Sequence, residues 1–226
     1  MHKIAQKQQY KIIVFGAHPD DPETACGGTM ALLSQAGHEV VAAYLTRGEA
    51  GIPGKSHQEA ATIRTEEALK ACDILRVRAA FLGQIDGQCE VNPARYDDIR
   101  VFLEREQPDL IFTHWPIDTH RDHRACSILV YDTWLCLGRS VPLFYFEVMT
   151  GRQSQNFSPT DYVDISAVVE QKHKACFVHE SQGIAQWYTG DHGRMEEFRG
   201  LEFGYTYAEA FVRHVQCPDV TLLTYL

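Results

Sequence analysis

The sequence predicts an α/β protein built on an open, mainly parallel sheet with helices on both faces. Three observations predict it. Short apolar runs alternate with stretches of helical spacing through the first 150 residues. Those runs are continuously apolar, as in strands buried on both faces. The polar, ligand-type residues gather directly after the first and fourth runs, where ligands bind in such sheets.

The elements follow in order. "YKIIVFGA" (10–17) reads as the first strand, and "TMALLSQAG" (29–37) as the helix after it, stopped by Gly37. "HEVVAAYLT" (38–46) is a second strand, followed by the glycine-rich loop "RGEAGIPGKSHQ". "EAATIRTEEALKACDIL" (59–75) has helical spacing, and "AAFLG" (79–83) is a short third strand. "PARYDDIRVFLEREQ" (93–107) opens on Pro93, a favoured helix-start residue. "PDLIFTHW" (108–115) is a fourth strand, "HRACSILVYDTWLCL" (123–137) a helix and "VPLFYFEVM" (141–149) a fifth strand. This is β-α-β-α-β-α-β-α-β, a Rossmann-like pattern with expected strand order 3-2-1-4-5 and right-handed crossovers.

Beyond residue 150 the pattern loosens. "GRQSQNFSPTDY" reads as a loop, "ISAVVEQKHKACFVH" (165–179) as a helix, and "AEAFVRH" (208–214) as a strand or short helix. Residues 181–207 carry Gly, Tyr and Trp without a clear period. The expectation is one α/β domain over 1–226. Residues 1–150 form its sheet core, and a smaller irregular extension, 151–226, shapes the pocket.

The chain has 226 residues, 45% hydrophobic and 23% charged, within the ordinary range for a globular protein. Its 21 Lys and Arg against 30 Asp and Glu give a formal charge of −9, which argues against a nucleic-acid surface. The N-terminal "MHKIAQKQQYKIIVFGA" does not read as a signal peptide, and no run approaches the ~20 apolar residues of a membrane span. Seven scattered cysteines without a C-x-x-C pair suggest reduced thiols in a cytoplasmic protein.

The chemistry concentrates at "VFGAHPDDPETACGG" (14–28), where a buried strand surfaces into His18, Pro19, Asp20 and Asp21. Adjacent carboxylates repel and lose solvation there unless a cation or proton offsets their charge. The fourth strand runs into "PIDTHRDHRA". In the expected strand order these segments flank one crevice and bring together His18, Asp20, Asp21, Asp118, His120, Asp122 and His123. Two or three imidazoles with a carboxylate form a site for a divalent transition metal, catalytic zinc or non-haem Fe(II). One of Asp20 and Asp21 then ligates, and the other stands as general base.

"AHPDDPETACGG", "TRGEAG", "RTEEALKAC", "FLGQIDG" and "HRDHRAC" resemble the LmbE-like (PIG-L-like) N-acetylglucosaminyl deacetylases, with a weaker echo at "ACFVHESQ". The resemblance runs from about Ile12 to Cys126. It implies a zinc-dependent enzyme that removes acetyl from N-acetylglucosamine units of small glycoconjugates. By motif it implies His18, Asp21 and His123 as metal ligands and Asp20 as base. His120, in its charged form, would stabilise the oxyanion or protonate the leaving amine. Asp122 would orient an imidazole. Arg64 and Asp86 would contact substrate, with Glu49 on the adjoining loop. The implied partner is a small N-acetylated amino sugar, and a homo-oligomer, trimer or hexamer, is expected.

Each residue also has a plain structural reading. His18 suits a capped loop, Asp20 a turn, and Asp21 the first turn of a helix. Asp118 reads as a turn residue. Arg64 fits an i,i+3 pair with Glu67 on a solvated face, Asp86 a turn with Gly87, and His179 a helix end. Gly27 and Gly28 suit close packing; no G-x-G-x-x-G follows strand 1, so no dinucleotide cradle is expected. Two rival functions stand beside the amidase: an Fe(II) oxygenase, and a non-catalytic protein that recognises sugars through its metal. The spare carboxylate of the Asp20–Asp21 pair argues against the latter.

Overall fold

Seven strands form one sheet in the computed structural model, which describes residues 9–218, 222, 225 and 226. The segment 1–17, which does not read as a signal peptide, therefore lies partly outside the described residues. Strands β1 (Lys11–Gly16), β2 (Glu39–Tyr44), β3 (Arg78–Phe81), β4 (Leu110–His114) and β5 (Leu143–Phe146) are parallel, and their order is β3-β2-β1-β4-β5. Two further strands extend it beyond β5. β7 (Ala208–Arg213) pairs antiparallel with β5, and β6 (Asp161–Asp164) with β7. The segment read as strand or short helix is thus a strand, and β6 lies at the end of a stretch read as loop.

Alternation sorts the strand residues into two cores. Ile12, Val14, Val40, Ala42, Phe112 and Phe144 face helices α1 (Asp21–Gln35), α2 (His57–Leu75) and α5 (Val169–Phe177). Ile13, Phe15, Val41, Ala43, Ile111 and Leu143 face α3 (Pro93–Glu106) and α4 (Arg121–Cys136). Strands buried on both faces read as unbroken apolar runs, which is why the sequence marked them.

Helix α1 begins eight residues before the expected 29. Asp20 is its N-cap, Glu23 closes a capping box and Pro22 sits in the first turn. Gly27 and Gly28 lie inside it. A Cβ on Gly27 would meet Lys172 at 2.9 Å, and one on Gly28 would meet Ile165 at 2.5 Å, so these glycines admit the α5 segment. Glu209 on β7 accepts hydrogen bonds from the Gly28 and Thr29 amides, each at 2.8 Å.

The aperiodic stretch holds a short helix, α6 (Ile184–Trp187), and a three-turn helix, α7 (His192–Phe203). Helix α7 escaped the apolar pattern because its inner face is charged. Buried Glu196 meets Lys172, and buried Arg199 meets Glu147, while Phe198, Leu201 and Phe203 are exposed. Among the described residues no helix is long and apolar enough to cross a membrane.

Candidate active site

The site lies at the C-terminal ends of β1 and β4, where the strand order reverses. β1 delivers His18, and its continuation into the α1 N-terminus delivers Asp20 and Asp21. β4 ends in His114, and the segment into α4 delivers Asp118, His120, Asp122 and His123. The two groups that the sequence placed together meet in a cavity of about 300 Å³.

Asp21 is the hub. Its Oδ2 lies 3.2 Å from His18 Nδ1 and 3.3 Å from His114 Nε2, and its Oδ1 lies 3.3 Å from His123 Nε2. The His18 amide donates to Asp21 Oδ2 at 2.8 Å, fixing the carboxylate as the chain turns into the helix. On the far side of His18, Nε2 faces Asp86 Oδ1 at 3.1 Å and Asp122 Oδ2 at 3.3 Å. Burial alone would depress the His18 imidazole, but Asp122, Asp21 and Asp86 hold its pKa well above the ordinary value. Burial also opposes His123, yet Asp21 and Asp118 raise it to about 9. Asp21 is held well below the ordinary range: burial pushes it up, and His123 and His114 overcome this.

These donors fit a divalent cation. One donor atom each from Asp21, His114 and His123 falls within 4.8 Å of the others, as do those of His18, His120 and His123. The nitrogens of His18 and His123 that face Asp21 each have a carboxylate on the opposite ring nitrogen. Those carboxylates are Asp86 and Asp122 for His18, and Asp118 at 3.3 Å for His123 Nδ1. Such partners fix the tautomer of metal-binding imidazoles. A buried mixture of imidazole and carboxylate donors suits zinc and Fe(II) alike.

His114 was not among the sequence candidates. It is fully buried, stacks on His123 with ring centroids 4.1 Å apart, and its Nε2 accepts the Ala17 amide at 3.1 Å. Burial and then His123 pull it down to about 4, so it is neutral. The signal was its place: a histidine closing a buried strand beside the crevice. Asp118 does form a turn, accepting the His120 amide at 2.7 Å, but its other oxygen serves His123.

Asp20 caps α1 from a left-handed backbone, φ 112°. Its Oδ2 accepts from Arg64 at 2.9 Å. Burial raises its pKa to about 6, against the pull of Arg64. Arg64 is itself 3% exposed rather than on a solvated face, and also donates to the Pro19 carbonyl. It is wedged where a Cβ on Gly48 would meet it at 2.5 Å. Asp86 lines the cavity but faces His18 and the Ala50 amide. Glu49, expected at the substrate, is turned away from the cavity lining. Its carboxylate accepts from the Arg47 and Asp86 amides and holds the loop. Asp122 accepts from the Gly87 amide at 2.6 Å and faces His18. His179 lies one residue past the C-cap of α5, and its side chain makes no capping bond; it is buried 3.4 Å from Glu23.

His120 is the N-cap of α4, and its Nδ1 accepts the Asp122 amide at 3.3 Å. Its ring lies 4.6 Å from that of His123 and 4.7 Å from that of His18. Burial, then His123 and His18, lower its pKa, which disfavours the charged form expected from sequence. With Nδ1 accepting, the proton resides on Nε2.

A profile of the PIG-L family, described as GlcNAc-PI de-N-acetylase, matches residues 13–134, which span β1 through most of α4. The chain belongs to the PIG-L family. It is similar to the diacetylchitobiose deacetylase of Thermococcus kodakarensis, 30% identical over 189 residues, covering 76% of this chain and 70% of the relative. The 2'-N-acetylparomamine deacetylase of Streptomyces fradiae is 25% identical over 205 residues, covering 76% and 73%. Among solved structures, the N,N'-diacetylchitobiose deacetylase of Pyrococcus horikoshii superposes with a TM-score of 0.80 at 26% identity, covering 96% of this chain and 86% of that one. The hydratase GalB of Pseudomonas putida reaches the same TM-score at 21% identity, covering 94% and 98%, which shows the shared fold alone. Like its PIG-L relatives, this chain is an enzyme of the deacetylase type, a hydrolase acting on N-acetyl amides.

Proposed function

We propose that this PIG-L protein is a zinc-dependent N-deacetylase that releases acetate from an N-acetylglucosamine-containing small glycoconjugate. The observation that carries the reading is a buried imidazole–carboxylate donor set with a separate carboxylate, Asp20, beside it. His18, Asp21 and His123 would hold the cation. His114 supports them, because its Nε2 already accepts the Ala17 amide.

A divalent cation there supplies Lewis-acid polarisation of the amide carbonyl and acidifies a water. Asp20, with its pKa near 6, accepts the water proton as the oxygen attacks the carbonyl carbon. Arg64 orients that carboxylate and keeps it ionised. The His120 Nε2–H donates to the oxyanion of the tetrahedral intermediate, and its amide-capped Nδ1 fixes that tautomer. Asp20 then passes the proton to the departing nitrogen, the C–N bond breaks, and acetate and a free amino sugar result.

Seven unpaired thiols, five of them buried, support a reducing, cytoplasmic setting. The deacetylase names of the relatives support the amidase over an oxygenase. The test is acetate release from a panel of N-acetylglucosaminides by protein stripped with chelator and then reloaded with zinc or Fe(II). Release restored by metal, without oxygen uptake, supports the reading. No release from any N-acetyl sugar by fully loaded protein overturns it.

A further inference from the structure

The motif "ACFVHESQ" (175–182) follows the sheet core, and the reaction as described uses none of its residues. Its last four residues, 179–182, leave the end of α5 through a single 3₁₀ turn, Glu180–Gln182. Three of them each bond a different part of the frame around the site.

His179 is fully buried, and its Nε2 lies 3.4 Å from Glu23 Oε1. The same oxygen accepts the Tyr44 hydroxyl at 2.5 Å, and Glu23 Oε2 accepts the Asp20 amide at 3.2 Å. Burial opposes a charge on His179, but Glu23 and then Asp20 raise its pKa, which favours the imidazolium opposite the Glu23 carboxylate. Ser181 bonds Glu67 twice, its amide donating to Oε1 at 2.8 Å and its hydroxyl to Oε2 at 2.7 Å. Glu67 is buried on α2, one turn after Arg64. Gln182 donates from Nε2 to the Gly51 carbonyl at 3.1 Å. Gly51 walls in Arg64, because a Cβ there would collide with the guanidinium.

The three anchors converge on one residue. Asp20 has φ 112°, a left-handed conformation that costs a non-glycine residue energy and persists only where its surroundings hold it. Glu23 holds its amide, the Thr24 amide donates to its carbonyl at 2.9 Å, and Arg64 donates to its Oδ2 at 2.9 Å. Two of those three groups, Glu23 and Arg64, are the ones that residues 179–182 brace. His179 and Ser181 do not line the cavity, so they reach Asp20 without touching substrate.

Building on the deacetylase reading, we propose that residues 179–182 are a positioning strap, which sets the base Asp20 by bracing Glu23 and Arg64 and so governs the chemical step rather than substrate binding. A misplacement of about 1 Å at a reacting group costs on the order of 10²-fold in rate, so contacts one residue removed from the base are felt in kcat.

The test measures zinc content, kcat and KM for acetate release from a methyl N-acetylglucosaminide and from N,N'-diacetylchitobiose, with urea unfolding of each protein alongside. Glu67→Ala and His179→Ala are expected to keep about one zinc per chain and a KM within about twofold of wild type, while kcat falls about 10- to 100-fold. Glu67→Gln can still accept the Ser181 amide and donate to its hydroxyl, and His179→Gln can still donate to Glu23; both are expected to return kcat towards wild type. Ser181→Ala removes one of the two bonds to Glu67 and is expected to lower kcat about three- to tenfold, which decides the matter should neither of the other alanine variants fold. A strap that only stabilises the fold would lower the urea midpoint and leave kcat per folded, zinc-bound chain at the wild-type value. That result, or a loss carried by KM or by missing zinc, overturns the proposal and leaves the deacetylase intact. Zinc-loaded wild type that releases no acetate from either substrate overturns both.

Discussion

Replacing Arg64 by Met tests whether that guanidinium serves the base or the substrate. Methionine keeps the aliphatic stem that lies against Gly48 and removes the charge 2.9 Å from Asp20. At that separation and an effective dielectric of about 20, the attraction is at most about 6 kcal/mol. The Asp20 side chain is 19% exposed, so solvent screens part of it. An adjacent Arg lowers a carboxyl pKa by about one to three units, and the lower part of that range applies here. Asp20 must be ionised to accept a proton, and in the wild type it titrates at about 6, so activity falls as pH drops through that value. Without Arg64 the Asp20 pKa rises, and the acid limb of kcat/KM moves alkaline by about one to two pH units. At pH 7 this lowers the ionised fraction from about nine-tenths to between about a half and a tenth, a two- to tenfold loss. At pH 9 most of the activity returns. The assay is acetate release across pH 5 to about 9.5, with saturating metal throughout. A loss of equal size at every pH, carried by KM, would refute this reasoning and return Arg64 to the substrate-binding role expected from sequence.

Asp118→Asn removes the negative partner of His123 Nδ1 and is expected to weaken metal binding about 10- to 100-fold, read by competition with a chelator. Unchanged affinity would leave Asp118 as a turn residue only. Lys172→Met strands Glu196 and Glu209, each 2.7 Å from the buried ammonium, and should cost about 3–5 kcal/mol in urea unfolding. Burial works against ionised Glu196, but Lys172 and His173 hold its pKa to about 2. Its wild-type contribution to stability is therefore full above the ordinary carboxylate range and fades as pH falls towards 2. A Lys172→Met protein within 1 kcal/mol of wild type at pH 7, on that roughly 3–5 kcal/mol scale, would contradict the pairing.

The sheet core was legible because β1, β2, β4 and β5 are buried on both faces and read as apolar runs; the order β3-β2-β1-β4-β5 followed from their connections. The crevice was legible because His18, Asp20 and Asp21 follow β1, and Asp118 to His123 follow β4. What escaped was hidden by polarity. α7 buries Glu196 and Arg199 and exposes Phe198 and Leu201, inverting the pattern that marks a helix. The α1 start was missed because its first turn is the motif itself: Asp20 reads as a turn residue and is the cap. His114 does belong to strand β4, so its sequence context marks only burial, and the stacking of its ring on His123 shows only in three dimensions. Glu49 and Arg64 stood near the site in sequence, but their partners, two loop amides for Glu49 and Asp20 with Pro19 for Arg64, were visible only in three dimensions.

The separation of metal-holding from base-acting carboxylates is tested most directly by Asp20→Asn. Metal content and acetate release would be measured on the same preparation. The neighbouring donors His18, Asp21 and His123 are untouched, and Asn can still accept from Arg64. The expected result is about one metal ion per chain, as in wild type, with kcat lower by about 10²- to 10⁴-fold. Metal lost with the activity would make Asp20 a ligand, and metal and activity both kept would remove it from the chemistry; either contradicts the account.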